Sequence, residues 1–351
     1  MGNQQFKLSI LDQTPILPEQ APTEAFAHTI ELAQLAERLG YNRFWVSEHH
    51  DSAKVAGSSP EVLIAHLLAK TEHIRIGSGG VMLQHYSPYK VAENFNVLAS
   101  LAPGRVDLGV GRAPGGLPRS TRALQQGVTE PATLSEKLKE LQAYVANQVP
   151  DEHPLAGIVA GPLVDQPADI YVLGTSAASA ETAAESGLPY VFALFINSDE
   201  QAAAEAFKVY AERFQSKDGL SPHPILALSV IVADSEEEAQ ELAGEYKLFK
   251  IKLASGKTLT VGTIEQAEEY GRQSSEAYTI DTQQAQIVKG TKASVRSRLL
   301  ELQRRYGVKE FIVVSSSLKS FEQRKRSYTL LHEAFATEEV QAWEQKAAGL
   351  S

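Results

Sequence analysis

Short apolar runs recur along the chain, and helical stripes lie between them. The runs at 7–11, 44–46, 74–76, 106–110, 170–173, 190–196, 225–233 and 311–314 make eight. Most are near-continuous in apolar character, as expected of parallel strands buried on both faces. Phe26, Ile30, Ala33 and Leu39 fall near one face of a helix that Gly40 ends. Val295, Leu299, Leu302 and Tyr306 repeat at helical spacing, with Gly307 as the stop. Ser59-Pro60 and Ser87-Pro88 each read as an N-cap followed by proline at the first helical position. Strand and helix alternate throughout, which predicts a parallel α/β protein.

Eight strand–helix units favour a (β/α)8 TIM barrel over a doubly wound sheet. Two gaps, 111–169 and 234–310, are too long for one helix each and predict insertions after strands 4 and 7. With neither an internal repeat nor a Pro/Ser linker to divide it, the chain reads as one barrel domain, 1–351. Residues 252–290 are polar and glycine-containing with few apolar anchors, and read as a mobile active-site excursion, a lid. Asp12, Glu48-His49-His50, Gly111-Arg112, Thr175-Ser176 and Asn197 all follow the C-terminal ends of strands. In a barrel those ends converge on one rim, where barrel active sites sit.

Composition narrows the picture. Apolar residues make up 43% and charged residues 22%, enough for a substantial core. The net charge of −10 argues against nucleic acid or an anionic membrane as partner. There is no cysteine, so disulfides, thiolate metal sites and cysteine nucleophiles are excluded. No apolar run approaches a membrane span and the first residues carry no long apolar core, so a soluble, cytoplasmic protein is expected.

Four segments carry candidate chemistry. In "RFWVSEHHDS", apolar residues run into acids and imidazoles. Adjacent residues of a strand point to opposite faces, so His49 and His50 do not share a metal ion easily, and no other histidine spacing recruits a ligand. The segment therefore reads as presenting a catalytic or cofactor-facing histidine on the rim, against the alternative of a hydrogen-bonded polar strand end. In "IRIGSGGVML", Gly77, Ser78, Gly79 and Gly80 interrupt a strand, which signals a bulge, a strand-end turn or a flat ligand lying on bare backbone. In "LGVGRAPGG", the third glycine of a dinucleotide fingerprint is missing, and Arg112 is either an anion ligand or a surface ion-pair partner. In "VLGTSAASAETAAESG", Gly174 ends a strand, and Thr175, Ser176 and Ser179 open a helix. That is either a phosphate seat or ordinary N-capping.

Together these segments resemble the bacterial luciferase-like, flavin-dependent monooxygenases. The run "IRIGSGGVMLQHYSPYKVAENFNVLASLAPGRVDLGVGRAPGG" is similar to that family's central signature, and "RFWVSEHH" to its second-strand motif. "VLGTSAAS…GLPYVFA" resembles its fifth and sixth strands, and "VKGTKASVRSRLLELQRRYGVKEFIVVS" its last strand–helix region. "LSILDQTPI" looks closest to the single-chain branch. The likeness covers most of 6–335 and is weakest at 115–165 and 250–288, which leaves the substrate open.

The resemblance implies a (β/α)8 barrel binding FMN at the C-terminal rim. Ser78, Gly79 and Gly80 would lie under the flavin ring, with a non-proline cis peptide at Gly79–Gly80. Arg112, Gly174, Thr175, Ser176 and Ser179 would hold the phosphate. His49 would face the reactive edge of the flavin, with Glu48 and His50 in support, and no metal is implied. Reduced FMN from a separate flavin reductase would react with O₂ to a C4a-peroxyflavin that oxygenates a small organic substrate. A homodimer through helices two and three is implied. The rival readings are a deazaflavin-dependent hydride-transfer enzyme on the same fold, a flavin-binding protein without turnover, and a divalent-metal hydrolase.

Overall fold

A computed structural model describes residues 6–216, 219–315 and 317–336, so both ends of the expected 1–351 domain lie partly outside the described residues. Its strands are β1 (Lys7–Asp12), β2 (Arg43–Val46), β3 (Arg75–Met82), β4 (Val106–Gly111), β5 (Asp169–Gly174), β6 (Tyr190–Ala193), β7 (Pro224–Val232), β8 (Lys247–Leu253), β9 (Thr258–Val261), β10 (Tyr278–Gln284), β11 (Ile287–Gly290) and β12 (Glu310–Val314). Strands β1 to β7 and β12 pair in parallel, each with its neighbour, and β6–β7 and β12–β1 close the ring. The protein is a (β/α)8 barrel, and each of the eight expected runs supplies one barrel strand.

Two sets of side chains fill the fold, and strand alternation separates them. Leu11, Trp45, Tyr171, Val191, Ile225, Ala227, Ile312 and Val314 form an inner cluster. Their strand neighbours Ile10, Phe44, Val46, Val172, Phe192, Leu226 and Val313 pack outward against the helices. The helix Pro22–Arg38 buries Ala25, Thr29, Leu32, Ala33 and Ala36; of the expected stripe Ala33 is buried, Phe26, Ile30 and Leu39 pack against the core partly buried, and Thr29 donates to Asp12 at 2.6 Å. Pro60–Lys70 and Pro88–Leu101 start where the Ser-Pro pairs predict, but neither serine side chain caps the helix. Gly307 ends Lys292–Tyr306 with a left-handed φ of 64°, as expected of a C-terminal glycine.

Some boundaries differ from the sequence expectation. The run 190–196 is strand only to Ala193, after which Leu194–Asn197 forms one helical turn ended by Ser198 at φ 56°. A short apolar run does not distinguish these two conformations. Strand β3 continues through its glycines to Met82, with a register shift against β4 between Ser78 and Val81. The insertion after β7 lies in the expected gap, and its sheet starts at Lys247, before the excursion read at 252–290. Strands β8, β9 and β10 form an antiparallel sheet in the order β10–β8–β9, packed on the helix Ile264–Ser274. Its small core of Ile251, Leu253 and Ala267, flanked by Phe249, Val261, Tyr270 and Ile280, gives the segment more apolar anchorage than its composition suggests. Strand β11 returns the chain to the barrel by pairing with the last residues of β7.

The N-terminal end of the barrel is plugged by paired charges. Arg43 donates from Nη1 to Asp107 at 2.7 Å and to the Tyr171 hydroxyl at 2.7 Å, and from Nε to Glu310 at 2.8 Å. Arg75 bonds the other oxygen of Asp107 at 2.5 Å, Trp45 donates to Asp107 at 2.9 Å, and Ser9 donates to Glu310. Asp107 and Glu310 are fully buried. Burial alone would raise the Glu310 carboxyl, but the adjacent Arg43 guanidinium and the Ser9 hydroxyl hold it down at about 2.

Candidate active site at the C-terminal rim

The segment after β2 turns polar because its apolar work ends at Val46. Ser47 and Glu48 are still buried, whereas His49 and His50 are partly exposed. The Glu48 carboxylate is 1% exposed and fully engaged: it accepts from the Met82 amide at 3.1 Å, the Tyr86 hydroxyl at 2.8 Å and His50 Nε2 at 2.7 Å. His50 thus turns toward Glu48, Tyr86 and the neighbouring ring of His85. His49 turns the other way. Its Nδ1 lies 3.0 Å from the Ser47 hydroxyl, and its Nε2 has no partner among the described residues. Burial lowers the His49 pKa to about 4 against the opposing pull of Glu48, so the ring is neutral near pH 7. Neutral imidazole can both accept and donate, as a rim acid–base group must.

His49 lines a cavity of about 900 Å³ at the rim, together with Ile16, Gln20, Phe26, Asp51, Val55 and Arg119. Asp12, also expected at the rim, is elsewhere. It is fully buried behind β1, accepting from Thr29 at 2.6 Å and from Arg324 at 2.5 Å. Strand alternation explains the difference: Leu11 faces the barrel interior, so Asp12 faces the helices.

The peptide bond between Gly79 and Gly80 is cis. The glycines of this strand are required by their neighbours. A Cβ on Gly80 would stand 2.8 Å from the Gly109 carbonyl oxygen, and one on Gly77 would stand 2.5 Å from the Asp107 carbonyl oxygen. A Cβ on Gly79 would meet Leu11 at 2.7 Å and Trp45 at 3.1 Å. Bulkier side chains at Gly77 or Gly80 would therefore push β3 off β4, and one at Gly79 would collide with Leu11 and Trp45. The Ser78 hydroxyl is fully buried and donates to the Gly109 carbonyl at 2.8 Å, leaving only backbone for a ligand at this position.

Arg112 and the β5–helix turn are adjacent. The register pairs Val110 with Val172, which two residues later brings Arg112 alongside Gly174. Arg112 is exposed and has no hydrogen-bonded or ion-paired partner among the described residues, so the surface ion-pair reading finds no support. Ser176 caps the helix Ala177–Glu185, accepting from the Ser179 amide at 3.4 Å. The Ser179 hydroxyl is committed to the Ser176 carbonyl at 2.7 Å and to the Tyr190 hydroxyl at 2.9 Å. Asn197 donates to the Thr175 carbonyl at 2.8 Å, which leaves the Thr175 hydroxyl without a partner among the described residues. Gly174 is needed for packing: a Cβ there would overlap Ser179 at 2.1–2.3 Å.

Two groups at this rim were not legible in sequence. Tyr86 reaches Glu48 across 38 residues of chain, and Arg119 reaches Asp51 across 68. Neither pairing has a local spacing that would announce it.

The family model described as luciferase-like monooxygenase matches residues 6–309. The chain is 43% identical to an N-acetyl-S-alkylcysteine monooxygenase of Bacillus subtilis (strain 168), over 93% of this chain and 98% of that one. Among solved structures, apo-MsnO8 superposes with a TM-score of 0.77 at 35% identity, covering 94% of this chain and 98% of that one. The oxygenating constituent of 3,6-diketocamphane monooxygenase, from the CAM plasmid of Pseudomonas putida and solved in complex with FMN, shares the fold. Its TM-score is 0.68 at 18% identity, covering 95% of this chain and 99% of that one. No described helix is long and apolar enough to cross a membrane. The chain belongs to the luciferase-like monooxygenase family and is a flavin-dependent oxidoreductase that incorporates oxygen from O₂.

Proposed function

We infer that the flavin is FMN, delivered reduced by a separate flavin reductase, and that the substrate is a small organic molecule. One observation carries this reading. A cavity-facing neutral histidine, a glycine-rich strand and an arginine with no partner among the described residues all follow the C-terminal ends of barrel strands. The residues fit the group. Arg112, the Thr175 hydroxyl and the free N–H groups opening Ala177–Glu185 form an anion seat for the phosphate. The flavin ring would lie against the backbone of Ser78, Gly79 and Gly80, and His49 stands at the cavity with no partner for Nε2 among the described residues.

Reduced FMN, when bound, supplies the electron pair that activates O₂, so that one oxygen atom enters the substrate and the other leaves as water. This chain's own residues do the rest. His49 exchanges a proton at Nε2, and Ser47 fixes its ring. The inserted sheet β8–β10 and its helix act as a mobile lid that excludes water. The Gln273 side chain of that helix accepts from the Arg119 amide at 3.0 Å, which ties the lid to the cavity wall. The N-acetyl-S-alkylcysteine activity of the Bacillus subtilis relative makes thioethers the first substrates to try. A homodimer is supported by Val62, Val97 and Leu101, which leave large apolar side chains 68%, 47% and 68% exposed on Pro60–Lys70 and Pro88–Leu101.

The decisive experiment is titration of the protein with FMN, then reduction and mixing with O₂ in the presence of a thioether. FMN binding with substrate-dependent product formation is expected. No FMN binding, or oxidation yielding only H₂O₂ with every thioether, would overturn the reading.

A further inference from the structure

The cavity lined by His49 mixes two kinds of side chain. Ile16, Pro22, Phe26 and Val55 are apolar, and Asp51 and Arg119 are its charged pair among the described residues. Asp51 holds the arginine by its side edge, with Nε–H donating to Oδ2 at 2.5 Å and Nη2–H to Oδ1 at 2.7 Å. That uses two of the guanidinium's five N–H groups. The other edge, Nη1 with the second N–H of Nη2, has no partner among the described residues, and the Arg119 side chain is 58% exposed. The nearby Glu269 does not compete for it, being engaged by Arg272 at 2.5 Å and Gln273 at 2.6 Å. The Arg119 amide also donates to the Gln273 side chain at 3.0 Å.

An exposed ion pair of this kind contributes little to stability, so folding alone is a weak reason for it. Its geometry suits recognition better. A guanidinium gripped on one edge presents the other as a preoriented fork, which matches the two oxygens of a carboxylate. Because Asp51 already balances the single charge of Arg119, the pair is net neutral: it recognises a carboxylate by the geometry of the free fork, and a second negative charge on the ligand would meet only the repulsion of Asp51.

We propose that Arg119 determines substrate specificity by binding the carboxylate of a small organic monoacid through its free Nη1/Nη2 edge, with Asp51 as its positioning residue. The apolar, oxidisable arm of that acid lies against Ile16, Phe26 and Val55. This rests on the reading that the cavity is the oxygenation site, but its test is separable. Calorimetry measures binding of N-acetyl-S-propylcysteine and of its neutral carboxamide, to protein with and without FMN. In wild type the acid binds at least tenfold tighter than the carboxamide. Arg119→Gln weakens the acid roughly ten- to hundredfold and the carboxamide little, since a charge-assisted pair is lost. Arg119→Lys recovers part of the difference, and Asp51→Asn weakens the acid by a smaller factor. FMN affinity stays within a few-fold in all variants. Equal affinity of acid and carboxamide for wild type, equal losses for both in Arg119→Gln, or no binding of the acid would overturn the proposal. An Arg119-dependent preference for the acid in a protein that does not bind FMN would uphold it and remove the flavin reading alone.

Discussion

At the N-terminal end of the barrel, Arg43 lies between Asp107 and Glu310, and each of these groups has further partners in Arg75, Trp45, Tyr171 or Ser9. At the C-terminal end, His49 Nε2, the Arg112 guanidinium and one edge of Arg119 have no partner among the described residues. The same strands thus carry polar residues at both ends, saturated by one another below and left open above. Buried charges are tolerable only when mutually paired, so the lower set holds strands together and has no capacity left for a ligand. The upper set keeps hydrogen-bonding capacity that no described residue uses, which under the function proposed above is what the cofactor and substrate would take up.

The contrast can be broken from either end. The largest effect is expected at His49. His49→Ala should slow substrate oxygenation by about 10²–10⁴, the usual weight of one positioned acid–base group, so that product per flavin oxidised falls steeply and H₂O₂ is released instead. FMN affinity should stay within a few-fold. His50→Ala should cost less in coupling and more in stability, because it removes a partner of buried Glu48. Peroxide-to-product ratios for the two variants decide the assignment, and uncoupling by His50→Ala alone would reverse it.

At the opposite end, Arg43→Met should destabilise by about 3–5 kcal/mol, since it leaves two buried carboxylates short of their main counter-charge. Urea midpoints measure the loss. FMN affinity of the folded variant should be unchanged, and a large fall in affinity would mean that the two ends are coupled.

A smaller effect belongs to Arg112. Arg112→Gln should weaken FMN by roughly ten- to hundredfold and riboflavin hardly at all, because only FMN carries a phosphate. Equal losses for the two flavins would place Arg112 away from the phosphate.

The smallest effect concerns pH. His49 titrates near 4 in the folded protein, below the unfolded value of about 6.5. Between those values the unfolded chain binds a proton that the folded one does not, so this contribution to stability falls as pH drops from about 6.5 toward 4. Between pH 7 and 6 the loss is about 0.7 kcal/mol, and it should be absent in His49→Gln. Identical pH dependence of the wild-type and His49→Gln urea midpoints would refute the lowered value.

The sequence by itself determined the eight strands, the two insertions and the set of polar residues that follow strand ends, because each rests on local periodicity or on a turn residue. It also marked His49 and His50 as pointing apart, since alternation is a property of the strand alone. Tertiary structure alone decided which of them meets a cavity and which is held by Glu48 and Tyr86. It sent Asp12 outward to Arg324, 312 residues away, although its position after an apolar run is like that of the rim residues. It also showed that Gly77 and Gly80 are required by the backbone of β4. The physical reason is common to all of these. Periodicity fixes which residues share a face, whereas closure of the barrel fixes which face is inside and which distant groups come within hydrogen-bonding reach. A polar residue's role depends on whether those groups satisfy it, and that is decided only when the ring of strands is closed.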